Sequence, residues 1–318
     1  MEKLKIAVLD AATLGGDVDL SIFDTLGEVA VYPTTPKELL LDRLHGTNVC
    51  IINKVRLTGD LLGKCPSLKL ICVTATGYDN IDIAYCAKRG IAVCNVAGYS
   101  ANSVSQLTLA MVLSASVHLP IYRQAVADGT YTAGGLQNIL TPVYHELAGK
   151  TWGIIGYGGI GKRVAAAAEA LGCRVIVNKR TTTPEAECVS LDALIERSDI
   201  ITVHVPLTDV TRGMIGREQL ARMKDSVILV NVARGAVLDE AAVADAIEEG
   251  RLGFFGCDVY STEPLPEDHP LYRVRNHHKV CLTPHMAWGA YESRIRCLEE
   301  IKKNIQTFLS GETRNRIV

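Results

Sequence analysis

Residues 147–172 read LAGKTWGIIGYGGIGKRVAAAAEALG, and the fold turns on how this stretch is understood. Thr151–Ile155 is a short, apolar, partly β-branched run, the pattern of a buried strand. Gly156-Tyr157-Gly158-Gly159-Ile160-Gly161 follows at once and opens a helical pattern over Gly161–Leu171. The three glycines of a G-x-G-x-x-G each meet a physical need. The first permits a tight turn, the second lets backbone approach a pyrophosphate, and the third lets the helix lie close to the strand. A pyrophosphate then sits where backbone N–H groups are unpaired and the helix dipole is positive. The glycine spacing alone is weak; its strand–turn–helix setting makes it a dinucleotide site.

The same alternation runs outward through all 318 residues. Apolar runs at Lys5–Leu9, Val29–Tyr32, Val49–Ile52, Leu70–Val73 and Ala92–Cys94 precede the glycine loop. Further runs at Arg174–Asn178, Ile200–His204, Val227–Asn231, Phe254–Asp258 and Lys279–Leu282 follow it. Helix-sized segments lie between, such as Thr35–Leu44, Ile81–Lys88 and Glu240–Glu249. Near-continuous hydrophobic strands alternating with helices predict an α/β protein with parallel sheets covered on both faces. The length predicts two domains. One long helix is expected from Ala101 to about Asp128, then an irregular stretch over Gly129–His145, and an amphipathic helix Tyr291–Leu309 closes the chain.

Composition narrows the function. The chain is 48% hydrophobic, carries a formal charge of -2 and has no basic block, so neither nucleic acid nor an anionic membrane surface is expected as partner. No apolar run reaches the ~18 residues of a membrane span. The N-terminal MEKLKIAVLD reads as a first strand rather than a signal peptide. Of the ten cysteines the closest two, Cys65 and Cys72, are seven apart, which excludes C-x-x-C metal and redox motifs. Free thiols in apolar runs suit a reducing, cytoplasmic setting.

The end of the strand after the glycine loop bears on the choice of cofactor. Enzymes that use NAD place a carboxylate about twenty residues on, against the ribose 2′-hydroxyl. Counting 18 past Gly161 reaches Lys179, within Asn178-Lys179-Arg180-Thr181, where no carboxylate stands. Two cations suit a 2′-phosphate, the arginine bidentately and the lysine as a point charge. NADP is therefore the expected cofactor, with NAD as the alternative.

Three further segments follow strands: Asn231-Val232-Ala233-Arg234-Gly235, Asp258-Val259-Tyr260-Ser261-Thr262-Glu263-Pro264 and Thr283-Pro284-His285-Met286-Ala287-Trp288. With the glycine loop and Ala75-Thr76-Gly77-Tyr78-Asp79-Asn80-Ile81-Asp82, the chain resembles the D-isomer-specific 2-hydroxyacid dehydrogenase family over nearly its whole length. Asn95–Thr108 and the Ala287-Trp288 pair are most similar to the glycerate dehydrogenase/hydroxypyruvate reductase branch. The resemblance implies two Rossmann-like, doubly wound parallel-sheet domains with the active site in the cleft between them. Residues 1–98 and 290–318 would form a flavodoxin-like substrate domain, and 99–289 the nicotinamide dinucleotide-binding domain. It further implies a homodimer built through the helix after Ser100 and the arm around Gly129–His145.

Reduction of a 2-keto acid needs a hydride at the carbonyl carbon, a proton for its oxygen, compensation of charge on that oxygen and an anchor for the carboxylate. The cofactor supplies the hydride, so positioning and electrostatics fall to the protein. His285 is the expected proton donor, because imidazole titrates nearest operating pH. Glu263 would accept its other ring N–H, fixing the tautomer and favouring the protonated form. Arg234 offers a planar fork for carboxylate and carbonyl together. By resemblance, the backbone N–H groups of Thr76 and Gly77 anchor the carboxylate a second time. Asp258, Val205, Pro206, Val232 and Ala233 would line the cofactor, while Lys54 and Trp288 would shape the substrate pocket. Taken singly each has a structural alternative; all three principal residues follow strand C-terminal ends, where open α/β sheets bind ligands. The other seven histidines, His204 and His269 among them, read as structural or surface residues. Two alternatives stay open: a larger 2-keto acid on the same machinery, and a nicotinamide-sensing binding protein.

Overall fold

The computed structural model describes residues 3–318, so Met1 and Glu2 of the expected first-strand stretch lie outside the described residues. The chain divides into two compact units, one of residues up to Ser100 together with Gly289–Val318, the other Ala101–Trp288. In the first unit, strands β1 (Lys5–Val8), β2 (Glu28–Val31), β3 (Val49–Ile52), β4 (Leu70–Val73) and β5 (Ala92–Cys94) form a parallel sheet in the order β2-β1-β3-β4-β5. Strands β3 and β4 are buried at every position, which is why they read as unbroken apolar runs. The closing helix Tyr291–Leu309 packs on β4, and its Asn304 amide donates to the Asn95 carbonyl at 3.1 Å. The C-terminal tail then lies along β5, with Ile317 N–H donating to the Val93 carbonyl at 2.8 Å.

The second unit holds β6 (Thr151–Ile155), β7 (Arg174–Asn178), β8 (Glu187–Cys188), β9 (Ile200–Val203), β10 (Ile228–Asn231), β11 (Phe254–Cys257) and β12 (Val280–Leu282). They form a seven-stranded parallel sheet in the order β12-β11-β10-β9-β6-β7-β8. The chain starts centrally at β6, winds out to β8, then crosses to β9 and winds out the other way. The order therefore reverses between β6 and β9, where open sheets leave a crevice beyond the strand ends. Alternate residues face two apolar clusters: Ile155, Ile201 and Leu229 one side, Trp152, Ile154 and Val230 the other. Trp152 is wholly buried and its indole N–H donates to the Thr202 hydroxyl at 3.2 Å.

Local structure departs from the sequence expectation in several places, among them a one-turn helix Thr130–Ala133 inside the stretch expected to be irregular. The long helix from Ala101 breaks into Ala101–Ser116 and Leu119–Ala127, because His118 turns to φ 51° and Pro120 has no N–H to continue a helical ladder. Pro36 likewise reduces Thr35–Leu44 to a 3₁₀ turn, Lys37–Leu39, before a short helix Leu40–Leu44. The helix expected over Ile81–Lys88 begins instead at Ile83, since the Asp82 carboxylate accepts the Tyr85 N–H and caps it. Strand β8 has two residues and no apolar run, so no periodicity marks it. Among the described residues, no single helix is long and apolar enough to cross a membrane.

Candidate active site

The glycine loop leaves β6 at the reversal point. Gly156 has φ +98°, and a Cβ there would lie 2.7 Å from the His204 carbonyl carbon and 2.9 Å from the Val205 nitrogen. Any side chain would collide with the end of β9. A Cβ on Gly161 would meet the Gly156 carbonyl oxygen at 2.2 Å, so the loop closes against its own helix. Gly158, by contrast, faces open space, with nothing within 4 Å. Behind it the helix Gly159–Ala170 presents its first N–H groups. A bare backbone cradle of this kind fits a pyrophosphate. Tyr157 and Ile160 are partly buried against the Trp152 cluster and hold the loop to the core. Pro206 follows Val205, and its carbonyl accepts the Thr211 hydroxyl at 2.6 Å.

At the end of β7, Lys179 is half-buried and Arg180 exposed. The Lys179 ammonium lies 6.0 Å from the Tyr157 ring centroid, and Lys162 approaches the same ring at 5.7 Å. The structure adds a residue the sequence reading missed. Glu185 returns to this corner and pairs with Lys162 at 2.5 Å. Lys162, with a smaller contribution from Lys179, holds the Glu185 carboxyl below its ordinary value. The corner thus contains a carboxylate after all, engaged by a helix lysine.

Strands β10, β11 and β12 are neighbours, with Asn231 in register with Cys257 and Cys257 with Leu282. The segments bearing Arg234, Glu263 and His285 therefore leave the sheet side by side. Asn231 shapes the first, accepting the Ala233 N–H at 3.0 Å and donating to the Arg234 carbonyl at 2.9 Å. Val232 and Ala233 are buried in this turn. A Cβ on Gly235 would stand 2.1 Å from the Tyr260 carbonyl carbon and 2.2 Å from the Ser261 nitrogen. Only glycine lets the Arg234 segment touch the backbone of the next one.

His285 and Glu263 are joined, Nδ1 to Oε2, at 2.6 Å. With Nδ1 engaged by a carboxylate, the ring's remaining nitrogen is Nε2. The other Glu263 oxygen accepts the Tyr260 N–H at 3.0 Å, and the Tyr260 hydroxyl donates to the Thr283 carbonyl at 2.9 Å. His285 itself has φ 53°, in the left-handed region that side chains with a Cβ rarely adopt. Asp258 holds it there. Its carboxylate accepts the Thr283 hydroxyl at 2.6 Å and the N–H groups of Met286 and Ala287 at 2.9 and 2.8 Å. Burial pushes the Asp258 carboxyl above its ordinary value, against the pull of those three donors. Trp288 is half-buried and packs against the Trp152 cluster.

In the first unit, Thr76 and Gly77 follow β4. The Thr76 hydroxyl donates to the Val96 carbonyl at 2.9 Å, and its carbonyl accepts the Asn95 amide at 2.7 Å. Lys54 follows β3 in a turn organised by a residue the sequence reading did not single out. The buried Asp10 carboxylate accepts the N–H groups of Asn53, Lys54 and Val55 at 2.6–3.0 Å.

Comparison with known proteins points the same way. The family model described as D-isomer specific 2-hydroxyacid dehydrogenase, NAD binding domain, matches residues 109–287. A hydroxypyruvate reductase of Blautia hydrogenotrophica is 35% identical, covering 98% of this chain and 99% of its own. A glycerate dehydrogenase of Methylorubrum extorquens is 36% identical, covering 98% of each. The D-lactate dehydrogenase of Aquifex aeolicus, solved with NAD and lactic acid, matches with a TM-score of 0.84 at 31% identity, over 97% of this chain and 96% of that one.

Proposed function

The chain belongs to the D-isomer-specific 2-hydroxyacid dehydrogenase family, and we propose that it reduces a small 2-keto acid of the hydroxypyruvate or glyoxylate type to the D-2-hydroxy acid, with NADP(H) preferred over NAD(H). The observation that carries the reading is the 2.6 Å pairing of His285 with Glu263, one strand away from Arg234, in a sheet that opens on a bare glycine cradle.

The Gly156–Gly161 cradle would hold the pyrophosphate of a nicotinamide dinucleotide, whose ring would supply the hydride. Arg234 grips the substrate carboxylate with its guanidinium fork and polarises the adjacent carbonyl. By the family resemblance, the Thr76 and Gly77 N–H groups would give the carboxylate a second anchor, and Lys54 and Trp288 would shape the substrate pocket. Glu263 stabilises positive charge on the imidazole, so the proton reaches the carbonyl oxygen from Nε2 of His285 and returns to it in the oxidative direction. Three of the roughly four acceptor positions of Asp258 are used by the neighbouring segment, at Thr283, Met286 and Ala287, which leaves capacity on Oδ2 that would suit a carboxamide N–H. Val205, Pro206, Val232 and Ala233 complete the cofactor's walls.

NADP preference is supported by Lys179 and Arg180 at the end of β7, with the nearby Glu185 taken up by Lys162. A homodimer is supported by Val126, Leu136, Leu140 and Val143, each 65–72% exposed in the stretch after the Ala101–Ser116 helix. A monomer in sedimentation at micromolar concentration overturns that part. The reaction is tested with glyoxylate, hydroxypyruvate, pyruvate and phenylpyruvate, each assayed with NADPH and NADH. The expected result is the highest kcat/KM for a small acid with NADPH. Absence of turnover across the panel refutes the reaction, superior phenylpyruvate turnover refutes the substrate class, and an NADH preference refutes the cofactor assignment.

A further inference from the structure

His269 and Glu240 lie outside the machinery above, yet both are more than nine-tenths buried, at 7% and 8% exposure. We propose that this pair is a positioning device for the proton donor: it clamps the segment that carries Glu263 and thereby sets the Glu263–His285 geometry. The inference rests on the reductase reading above and assigns two further residues to it.

The hydrogen-bond sequence is continuous. His269 Nδ1 accepts the Leu271 N–H at 3.2 Å, capping the short helix Pro270–Arg273. An accepting nitrogen carries no proton, so in the neutral ring the proton sits on Nε2. Nε2 lies 3.0 Å from Glu240 Oε2 and donates to it. The other Glu240 oxygen accepts the Ser261 N–H at 3.0 Å. Ser261 adjoins Tyr260, whose N–H fixes Glu263 and whose hydroxyl fixes Thr283, two residues before His285. The Tyr260 and His269 rings meet edge to face, centroids 6.1 Å apart.

Two simpler accounts do not fit. Glu240 is not needed to cap its own helix, Glu240–Glu248, because Asp239 already accepts the Ala242 N–H at 3.0 Å. Nor is Ser261–His269–Glu240 a hydrolytic triad, although the Ser261 hydroxyl lies 3.2 Å from Nε2. A triad needs serine and carboxylate on opposite ring nitrogens, whereas here both crowd Nε2 and Nδ1 is held by backbone. What remains is a buried carboxylate that reaches out of its helix to hold one backbone amide, locked in turn by a single imidazole tautomer. Burying a carboxylate is unfavourable unless its hydrogen bonds are well made, so the clamp holds only while His269 donates.

Two substitutions separate this role from plain capping. In His269→Gln the side-chain NH2 reaches the position of imidazole Nε2 and keeps the donor to Glu240 while losing the cap. In His269→Asn the side-chain oxygen takes the place of Nδ1 and keeps the cap while losing the donor. His269→Asn is expected to lower Tm, because the Glu240 carboxylate stays buried without its donor, to lower kcat ~10–100-fold through misplacement of the acid, and to leave KM and the NADPH Kd within about threefold. Its Ser261 amide should exchange faster with deuterated solvent. His269→Gln, which loses only the cap, is also expected to lower Tm but to keep kcat within about threefold of wild type and a protected Ser261 amide. Equal kcat losses in the two variants, or a Ser261 amide still protected in His269→Asn, overturn the proposal. A wild-type protein without keto acid turnover condemns the reaction assignment, while amide exchange still decides whether the clamp exists.

Discussion

Replacing Gly235 by alanine tests whether contact between neighbouring segments governs the chemistry. Gly235 is not at a positive φ, so alanine's own backbone preference is not the obstacle. Space is. The added Cβ would sit 2.1 Å from the Tyr260 carbonyl carbon, and an ordinary contact begins near 3.4 Å, so the segments must part by about 1.3 Å. The obstructing atoms are backbone and cannot swing aside as a side-chain tip does. Tyr260 holds Glu263 through its N–H at 3.0 Å and Thr283 through its hydroxyl at 2.9 Å. As the Tyr260 segment gives way, Glu263 is carried with it, and the hydroxyl bond to Thr283 lengthens beyond useful range. Overpacking costs about 1–3 kcal/mol, and each lost hydrogen bond about 0.5–1.5 kcal/mol more. A misplacement of ~1 Å at the acid is worth ~100-fold in rate. Steady-state kinetics on Gly235→Ala should therefore show kcat down ~100-fold and a Tm lower by several degrees. The NADPH Kd from fluorescence titration should change less than kcat does, because the glycine cradle follows a different strand and only the Val232–Ala233 and Asp258 contacts adjoin the displaced segments. Wild-type kcat in this variant would show that the Arg234 and Glu263 segments do not depend on their close approach.

Glu263→Gln should lower kcat ~10²–10⁴-fold with little change in KM, since an amide can present a donor to Nδ1 and select the wrong tautomer; a kcat within threefold of wild type contradicts the role given to Glu263. Neutralising Lys179 and Arg180 together should cut kcat/KM with NADPH ~10–100-fold and leave NADH turnover unchanged, on ~1.5–3 kcal/mol for charged hydrogen bonds; equal losses with both cofactors count against a 2′-phosphate site. His204 gives a pH effect of definite sign. Burial lowers its pKa from 6.5 to about 3, and both ring nitrogens lack a hydrogen-bond partner. Between those values the unfolded chain takes up a proton that the folded chain refuses, so stability falls as pH drops, by up to ~1.4 kcal/mol per pH unit. Urea unfolding at pH 7 and pH 4.5 should show His204→Leu losing ~2–3 kcal/mol less than wild type; parallel losses reject the assignment.

The sheets were readable because strands such as β3, β4 and β9 are buried on both faces and must be apolar throughout. The edge strand Glu187–Cys188 was not, because its two residues have one side open and need no such pattern. Pro120 marked the break in the Ala101–Asp128 helix more clearly than the apolar period that ran across it. Arg234, Glu263 and His285 stood out because each follows a strand. Partners that act through backbone amides carried no such signal. Asp10 meets Lys54 across 44 residues, and Glu240 meets His269 across 29, each through bonds that many polar residues could make. Glu185 was hidden for another reason: its meeting with Lys162 depends on the path of the loop after Arg180, which no periodicity sets.

The left-handed backbone at His285 has a lasting effect on how this position tolerates change. Imidazole is kept there at ~1–3 kcal/mol relative to a relaxed conformation, whereas glycine or asparagine would rest there easily. Selection for heat resistance alone would drive position 285 toward those two residues and away from activity. Selection for turnover would retain histidine and favour whatever tightens the grip of Asp258.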